Sequence, residues 1–384
     1  MLTGFLSRLE EVHRADSREE LESIYRFRYS VYVEELGREI GGVDHDKQMV
    51  YDEDDEKEYA LHFYTGTPGS INGVVRICAW NKGKIPQKHF KNLSLNLFDN
   101  IAGYAVAEIS RLMIRRSMRG ILILPALMRA ACTTLAEEKK TELVFCYCRP
   151  GLVPYYKKLG ARTYPGDMIE EPEGLEVPLI VILPDLAHFK SVGSPLAPII
   201  KKYIGSFKNR KKDFSDIYRV LNTGRINVET DTERIWETLQ HVFVDAQRRS
   251  FSILDSLPKK TVKELAVRGF IMDIEAGTLV LREGHAEQEM YIILEGTFEA
   301  FSGEQHFEMM GTGDLFGEVA FFRIGGRRTA SVRAVTSGKL MCLRRHFIEE
   351  LAKKDPVTAY RLVFNLGRLL SDRLVAMDRM LLRH

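Results

Sequence analysis

The sequence lacks the features that mark secreted, metal-binding or membrane-spanning proteins. Its five cysteines include Cys146 and Cys148, two residues apart, but no CxxC pair or Cys/His cluster has zinc spacing. No run of about 18 apolar residues occurs, so no membrane span is expected. The N-terminal stretch also lacks the apolar run of a signal peptide. We therefore expect a cytoplasmic protein with reduced thiols and no bound metal.

The chain also has little net charge. A formal charge of +2 over 384 residues does not by itself indicate a polyanionic partner. Apolar residues make up 45% of the chain and charged residues 28%, which is ordinary for a globular protein. The length exceeds that of most single domains, so two or three domains are expected.

The first part of the chain alternates helical and strand patterns around an acidic loop at 44–58. Helices are predicted at 17–36, 122–139 and 152–159, and strands at 59–65, 71–80, 106–114, 143–148 and 177–183. Asp16 or Ser17 suits the N-cap of the first helix, and Gly160 suits the end of the third. These elements predict a mixed α/β domain over residues 1–185.

The rest of the chain has a different pattern. Residues 186–229 are rich in Lys, Gly, Pro and Ser and are interpreted as a basic connector with one or two helices. Its charge is most simply that of a solvated linker, since no nucleic-acid reader motif accompanies it. Residues 230–384 are predicted to form a β-barrel (jelly roll) with flanking helices at 230–249 and 356–382. The predicted class is therefore α+β with two domains.

The stretch GDLFGEVAFFRIGGRRTASVRA, residues 313–334, carries groups suited to a cyclic phosphodiester. Free N–H groups at a helix start and a guanidinium fork bind phosphate oxygens, which indicates Gly317 and Arg328. Glu318 can accept a hydrogen bond from a ribose hydroxyl, and Thr329 can donate to phosphate or base. The predicted nucleotide-binding residues are Phe316, Gly317, Glu318, Val319, Ala320, Arg328, Thr329 and Ala330.

This segment resembles the phosphate-binding cassette of cyclic-nucleotide-binding domains of the catabolite activator protein type. The segments GTLVLREGH and MYIILEG precede it in the order of that family, and the resemblance covers about residues 250–375. It implies cAMP as the ligand, with cGMP left open by Thr329; the alternative is a degenerate barrel that binds nothing. No DNA-reading helix-turn-helix follows, so DNA binding is not expected. A homodimer through the final helix is left open.

The N-terminal domain contains five informative pieces. They are RFRYSVYVEELG (26–37), YDEDDEKEYAL (51–61), GVVRI (73–77), AEISRLMI (107–114) and PYYKKLGARTYPG (154–166). Together they resemble the GNAT superfamily, and within it the autoinducer synthases and the N-acyl amino acid synthases. The resemblance implies transfer of an acyl group from acyl carrier protein or coenzyme A to a small amine or amino acid.

The chemistry of that transfer suggests roles for several residues. An amine must lose a proton when it attacks a thioester, and a carboxylate can take that proton. Glu108 is the first candidate for this base, Asp52 the second carboxylate or ammonium anchor, and Tyr156 the proton donor to the leaving thiolate. The predicted donor-binding residues are Arg111, Arg115, Arg116 and Arg119. The resemblance adds Arg28, Tyr32, Arg76 and Ser110 to this site.

Two departures from the family patterns narrow the range of expected donors and products. The loop RRSMRGIL has only Gly120 in place of a glycine-rich pyrophosphate loop, which favours a carrier-protein donor over coenzyme A. Arg38 and Met49 stand where the autoinducer synthases have a tryptophan and an aspartate, so homoserine lactone synthesis is disfavoured.

The leading hypothesis is a bacterial N-acyltransferase under allosteric control by a cyclic nucleotide. One alternative is a non-catalytic signalling sensor whose GNAT-like domain binds a partner or a lipid-like ligand. The other is a cAMP-regulated protein-lysine acetyltransferase. Simpler structural roles are also open: Glu108 and Arg111 as an ion pair, the acidic loop as a solvated turn, the arginines as a solvated face and Tyr156 as a packing residue.

Overall fold

The structure of the chain is a computed structural model. It describes residues 11–37, 40–115, 117, 123–165, 169–171, 174–206, 213–222, 256–258, 260–261, 270–285, 289–323 and 327–381. The chain divides into two compact units, Met1–Arg225 and Ile226–His384, and each is described by itself. No helix within these ranges has the length and apolar character needed to cross a bilayer.

The first unit is built from short helices around strands. Its described helices are α1 (Arg18–Tyr29), α2 (Gln87–Asn92), α3 (Ile123–Glu137), α4 (Val153–Leu159), α5 (Leu186–Ser191), α6 (Ala197–Ser206) and α7 (Ser215–Asn222), with a π-helix at Ser30–Glu35 and 3₁₀ turns at Leu95–Leu97, Ile101–Gly103 and Pro150–Leu152. Its strands are β1 (Val12–Arg14), β2 (Val43–Asp44), β3 (Met49–Val50), β4 (Ala60–Thr67), β5 (Ser70–Trp80), β6 (Val106–Ile114), β7 (Leu143–Cys148), β8 (Arg162–Thr163), β9 (Ile169–Glu171) and β10 (Gly174–Ile182).

Eight of these strands form one mixed sheet. Their order is β1-β4-β5-β6-β7-β10-β8, with β9 paired to β10. Strands β6 and β7 run parallel, and α3 supplies the crossover that parallel neighbours require. Their register runs from Val106↔Leu143 to Ile109↔Cys146 and ends there, although β6 continues to Ile114. The two strands therefore part just beyond Ile109.

Helix α1 covers one face of this sheet. It begins at a capping box in which the Ser17 Oγ accepts from the Glu20 N–H and the Glu20 carboxylate accepts from the Ser17 N–H. Its buried side chains pack with Tyr64 and Val74 of the sheet. The helix predicted at 17–36 is confirmed, but its last turn is a π-helix in which the Leu36 N–H bonds to the Val31 carbonyl.

The other elements predicted for this unit are also present. The strands predicted at 59–65, 71–80, 106–114, 143–148 and 177–183 correspond to β4, β5, β6, β7 and β10. The helices predicted at 122–139 and 152–159 correspond to α3 and α4, and α4 ends at Gly160 with φ +111°. Period-two and helical apolar spacing thus located the elements to within a few residues.

The segment interpreted as a connector, 186–229, packs against the first unit in its described part. The Tyr203 hydroxyl donates to the Thr141 carbonyl at 2.8 Å, and the Tyr104 hydroxyl donates to the Asp216 carboxylate at 2.6 Å. Ile217 is fully buried in the core beside the sheet. Lysine-rich composition concealed this packing, because Lys190, Lys201 and Lys202 are exposed while apolar residues such as Ile200 and Ile217 are buried. The boundaries 1–185 and 230–384 stay predictions.

The second unit is built from two antiparallel sheets. Its strands are β11 (Phe270–Ile274), β12 (Leu279–Leu281), β13 (Glu289–Glu295), β14 (Phe298–Ser302), β15 (Gln305–Met310), β16 (Leu315–Phe316), β17 (Ser331–Ala334) and β18 (Gly338–Arg344). They form the sheets β11-β18-β13-β16 and β12-β17-β14-β15. The predicted antiparallel domain is confirmed, but the sheets do not close into a barrel. Most successive strands alternate between the two sheets, as in a double-sheet jelly roll.

Three described helices complete the second unit: α8 (Glu318–Phe322), α9 (Arg345–Lys354) and α10 (Pro356–Leu381). Ala359, Leu362 and Leu366 of α10 pack into the core formed with β13 and β18. The long helix predicted at 356–382 is therefore confirmed, and one face of it is anchored to the sheet. The helix predicted at 230–249 lies outside the described residues.

Two glycines allow a matched test of this packing. A Cβ on Gly160 would lie 2.6 Å from the Phe189 ring, whereas a Cβ on Gly193, with φ +64°, would meet nothing within 4 Å. We expect Gly193→Ala to lower the free energy of unfolding by about 1 kcal/mol, from backbone strain alone. Gly160→Ala should cost about 1–3 kcal/mol more, because Phe189 is fully buried and cannot move away freely. Urea unfolding of the full chain measures both; equal losses would contradict the close packing at Gly160.

Candidate functional site

A buried ion-pair network lies between α1 and the sheet. Arg28 of α1 donates to Asp55 Oδ2 at 2.8 Å, and Arg76 of β5 donates to Asp55 Oδ1 at 2.8 Å. The Asp55 side chain is fully buried, and the Arg28 side chain is 1% exposed. Burial raises the pKa of Asp55, but the Arg28 and Arg76 guanidinium groups outweigh it and hold the pKa below its ordinary value.

Asp52 extends the same network towards β6. Its Oδ1 accepts from Arg76 at 2.6 Å, and its Oδ2 accepts from Arg111 at 2.9 Å. Burial opposes its charge, but Arg76 and Arg111 lower the pKa of Asp52 well below the ordinary value. The structure thus places Asp52 as an anchor that holds two arginines; its predicted role as second carboxylate of the reaction stays a prediction.

A β-bulge brings Arg111 into this network. Arg76 pairs with Ser110 and Val74 with Met113, so β6 has an extra residue between these two pairs. Arg111 adopts φ +53° there, a conformation that is rare for a residue with a side chain. Its guanidinium lies 5.6 Å from the centre of the Tyr32 ring, and Arg76 Nε donates to the Ser110 hydroxyl at 3.1 Å.

The structure therefore brings six of the predicted residues together: Arg28, Tyr32, Asp52, Arg76, Ser110 and Arg111. Among the described residues of the network, three guanidinium groups face two carboxylates. His62 adds no positive charge near neutral pH, because burial and the Arg28 charge lower the pKa of His62 to about 4. The network can attract an anionic group such as a substrate carboxylate.

Glu108 lies on the same face of the sheet as Ser110, close to the point where β6 and β7 part. Its Oε2 accepts a hydrogen bond from His89 Nδ1 at 2.6 Å. The second ring nitrogen of His89 lies 3.1 Å from Asp54 Oδ1, and the Tyr59 hydroxyl donates to the same oxygen at 2.7 Å. Glu108 is thus one end of a short chain of polar side chains. The sequence also allowed a structural ion pair between Glu108 and Arg111. Among the described contacts, the partner of Glu108 is His89 instead.

Tyr156 lies on α4, which follows β7. The residue is buried, and burial together with the nearby Cys148 raises the pKa of the Tyr156 phenol well above its ordinary value. Tyr156 therefore stays protonated at neutral pH.

Arg115 directly follows the last residue of β6, and its guanidinium already has protein partners. Its Nε donates to the Ile71 carbonyl at 2.9 Å, and its guanidinium lies 5.8 Å from the centre of the Phe27 ring. With Phe27, Ser30, Val31, Glu35 and Ser117, it lines an open groove of about 520 Å³. Arg116 and Arg119, also predicted to bind the donor, lie outside the described residues, and the role of all four arginines stays a prediction.

Sequence reasoning missed Asp55 and His89. Asp55 is one of several acids in the DEDDE loop, and nothing in the loop's sequence distinguishes the central ion-pair acceptor from its neighbours. His89 is a lone histidine in a lysine-rich stretch, with no spacing signal to either of its carboxylate partners. Both were found only because the fold brings segments that are 19 to 35 residues apart in sequence into contact.

The predicted nucleotide site lies in the second unit, where β16 leads into α8. Gly317 precedes α8 with φ +86°, a conformation that favours glycine. A Cβ there would lie 2.6 Å from Arg328 Nη1, which donates to the Gly317 carbonyl at 2.8 Å. The absence of a side chain at Gly317 therefore allows the guanidinium to approach the turn.

The Arg328 side chain is 2% exposed and has donors to spare. Its Nη1 is bonded to Gly317, but its Nε and Nη2 have no hydrogen-bond partner among the residues that the structure describes, and Glu289 Oε2 lies 3.9 Å from Nη2. An unsatisfied buried guanidinium is costly, and an anion with two free oxygens would satisfy it. Glu318, the acid expected from the sequence to accompany Arg328, lies half-buried at the start of α8. Glu289 is a second acid near Arg328, which the sequence did not indicate.

The remaining predicted contacts surround this turn. Phe316 is buried and stacks on Tyr291 with 5.3 Å between ring centres, while Ala320 is buried in α8. Val319 and Ala330 are half-buried, and Thr329 is exposed next to Arg328. Arg345, at the first residue of α9, donates through Nε to the Phe321 carbonyl at 2.6 Å and through Nη2 to the Arg323 carbonyl at 3.2 Å. The end of α8 is thereby tied to α9.

Family models match a part of each unit. Residues 23–181 match the family model described as N-acyl amino acid synthase FeeM, and residues 271–355 match the cyclic nucleotide-binding domain. The resemblances to N-acyl amino acid synthases and to cyclic-nucleotide-binding domains are thereby confirmed. These matches support acyltransferase chemistry and cyclic nucleotide binding in general.

Individual relatives cover only parts of the chain. The mouse cyclic nucleotide-gated channel alpha-4 is 29% identical over 111 residues, which is 27% of this chain and 19% of the channel. The structure of FeeM, an N-acyl amino acid synthase from uncultured soil microbes, is 15% identical with a TM-score of 0.38 and covers 49% of this chain and 97% of its own. A cyclic nucleotide-binding domain from Methylobacillus flagellatus is 18% identical, with a TM-score of 0.36, over 41% of this chain and 89% of its own. The chain thus spans about a fifth of the length of the channel relatives.

The ion-pair network predicts how stability depends on pH. The lowered pKa values of Asp52 and Asp55 mean that their contribution is present above the unfolded-state pKa, about 3.9, and is lost as pH falls below it. We expect Asp55→Asn to cost about 3 kcal/mol at neutral pH, because two buried arginines lose a partner, and to flatten the acid limb of stability. Thermal unfolding against pH measures both effects.

The control is Asp99→Asn, whose side chain is 79% exposed beside Arg219. Surface ion pairs contribute little, so this change should leave the unfolding curve almost unaltered. If the two variants behaved alike, the network would not be a stabilising core of the unit.

Proposed function

We propose that the first unit is an N-acyltransferase that moves an acyl group from a thioester to the amine of an amino acid. The observation that carries this proposal is the position of Glu108, a partly accessible carboxylate on β6 just before the strand separates from β7. The match of residues 23–181 to the N-acyl amino acid synthase FeeM family supports the same chemistry. The three guanidinium groups of Arg28, Arg76 and Arg111 support an acceptor that carries a carboxylate.

In the proposed reaction, Glu108 takes one proton from the substrate amine as its nitrogen attacks the thioester carbonyl. The carbonyl oxygen gains negative charge, which backbone N–H groups at the parting of β6 and β7 are suited to stabilise. The C–S bond then breaks, Tyr156 protonates the departing thiolate, and the proton taken by Glu108 returns to the tyrosinate through water, so the products are an amide and a free thiol. An acyl carrier protein or coenzyme A carries the thioester.

For the second unit we propose cAMP as the ligand, with cGMP as the other candidate. The unsatisfied buried donors of Arg328 support an anionic ligand with two free oxygens, as a cyclic phosphodiester has. The hydrogen bonds from Arg345 to the end of α8 offer a path by which a change at the cassette would shift α9 and α10. Nucleotide binding is thus proposed to regulate acyl transfer.

A non-catalytic sensor is the second candidate, and one observation favours it. Arg111 is held by Asp52 and Arg115 by the Ile71 carbonyl, so both predicted donor-binding arginines already have protein partners. In a sensor, the first unit would bind an acyl or amino-acid ligand without turning it over. An activity assay distinguishes the two functions.

Replacing the proposed base tests the enzyme directly. Full-length protein is incubated with palmitoyl thioesters of acyl carrier protein and of coenzyme A and with the proteinogenic amino acids, with and without cAMP. We expect N-acyl amino acids by mass spectrometry, a rate that depends on cAMP, and a loss of about a hundredfold or more in Glu108→Gln, because the amide cannot accept the proton. Glu58→Gln, an exposed acid-to-amide change, should retain activity. No product from the wild type would favour the sensor.

Replacing the buried arginine tests the nucleotide site. We expect Arg328→Gln to weaken cAMP binding by about a hundredfold, since charge-assisted hydrogen bonds to the phosphate are lost. Arg333→Gln removes an equal charge from an exposed position on β17 and should bind normally. Isothermal titration calorimetry with cAMP and with cGMP measures affinity and identifies the preferred base. Undiminished binding in Arg328→Gln would overturn the site.

A further inference from the structure

Glu108 is connected to two further polar side chains, His89 and Asp54, which have no role in the proposed reaction. His89 is buried, 4% exposed, on the short helix α2. Its Nδ1 lies 2.6 Å from Glu108 Oε2, and its Nε2 lies 3.1 Å from Asp54 Oδ1. The ring is thus held between two carboxylates from different parts of the chain, one on β6 and one in the acidic loop.

The surroundings of His89 fix the orientation of its ring. The Trp80 ring of β5 lies 4.6 Å from it between ring centres, and the Tyr59 ring meets it edge-on at 6.3 Å. The Tyr59 hydroxyl and the Lys88 ammonium both contact Asp54, at 2.7 Å and 3.4 Å, and hold that carboxylate in place. A ring so confined can present Nδ1 to Glu108 in one direction only.

The charge of His89 follows from these neighbours. Burial lowers the pKa of His89, but Glu108 and Asp54 outweigh it and raise the pKa above the ordinary value of 6.5. When the ring is protonated, Nδ1 can only donate to Glu108, and Nε2 faces Asp54 at 3.1 Å in a charge contact rather than a well-aligned hydrogen bond. One oxygen of Glu108 is thereby occupied, and the other is left for an incoming amine.

We propose that His89 is a positioning residue for acyl transfer, which holds Glu108 in the rotamer that directs its free oxygen at the acceptor amine. This inference rests on the proposed function of the first unit and deepens it. Residues that orient a catalytic base act through geometry, since a displacement of about 1 Å at the reacting atoms can cost about a hundredfold in rate. His89 itself need not touch the substrate.

Two isosteric variants separate this role from simple packing. In His89→Asn the amide nitrogen takes the place of Nδ1, so the hydrogen bond to Glu108 is kept. In His89→Gln the amide nitrogen takes the place of Nε2, so only the contact with Asp54 is kept. We expect kcat to fall by about a hundredfold in His89→Gln with KM for the thioester unchanged, and to be largely rescued in His89→Asn.

Matched variants at His188, on α5, serve as the control pair. His188→Asn and His188→Gln make the same chemical changes at a half-buried histidine outside this chain of contacts and should keep the wild-type kcat. Wild-type kcat in His89→Gln, or equal losses in His89→Gln and His89→Asn, would overturn the positioning role. A loss in Glu108→Gln with full activity in His89→Gln would leave the proposed function standing and remove only this inference.

A second measurement is independent of turnover. Nitrogen-15 NMR of histidine-labelled full-length protein follows protonation of the His89 ring, identified by its loss in His89→Gln. We expect it to titrate above the ordinary value, about 6.5, and to shift to lower pH in Glu108→Gln, where one flanking charge is gone. An unchanged titration in Glu108→Gln would show that the two side chains are not coupled in solution and would also overturn the inference.

Discussion

The Asp55 carboxylate organises the first unit. It is fully buried and would be strongly destabilising alone, so it must be paired with the Arg28 and Arg76 guanidinium groups. Those two arginines come from α1 and β5, and the pairing therefore fixes how the helix sits on the sheet. The acidic loop is held by the same contacts, which sets the positions of Asp52 and Asp54. Much of the candidate site depends on this one buried charge.

The second unit uses the opposite arrangement. Among the described residues, Arg28 and Arg76 both donate to carboxylates, whereas Arg328 donates only to the Gly317 carbonyl. Arg28 also has an unsatisfied Nε, so the two units differ in the charge of the bonded partner rather than in complete satisfaction of their buried arginines. A buried guanidinium with no carboxylate within hydrogen-bond distance is suited to an anionic ligand, which is why Arg328 is proposed as part of a nucleotide site.

The two proposed sites also differ in how far apart their residues lie in the sequence. The cassette is a short, continuous stretch, since Gly317 and Arg328 lie 11 residues apart in sequence. The acyltransfer site is assembled from α1, α2, the acidic loop, β5 and β6. A base on β6, a histidine on α2 and an anion-attracting network can act together only if the sheet places them on one face, and alternation along the paired strands does so for Arg76, Ser110 and Glu108.

The sequence alone determined the elements and the cassette. Apolar spacing located β4 to β7, α3, α4 and α10, because side-chain periodicity reflects local backbone geometry and burial of one face. The cassette could be recognised because its candidate residues lie within one short stretch of sequence. The partners of Asp55, Glu108 and Arg328 were decided by tertiary structure: Arg28 and Arg76 for Asp55, His89 for Glu108 and Glu289 beside Arg328. The energy of a charge pair depends on a separation of a few ångströms and on burial, and neither quantity is encoded in local spacing when the partners lie tens of residues apart.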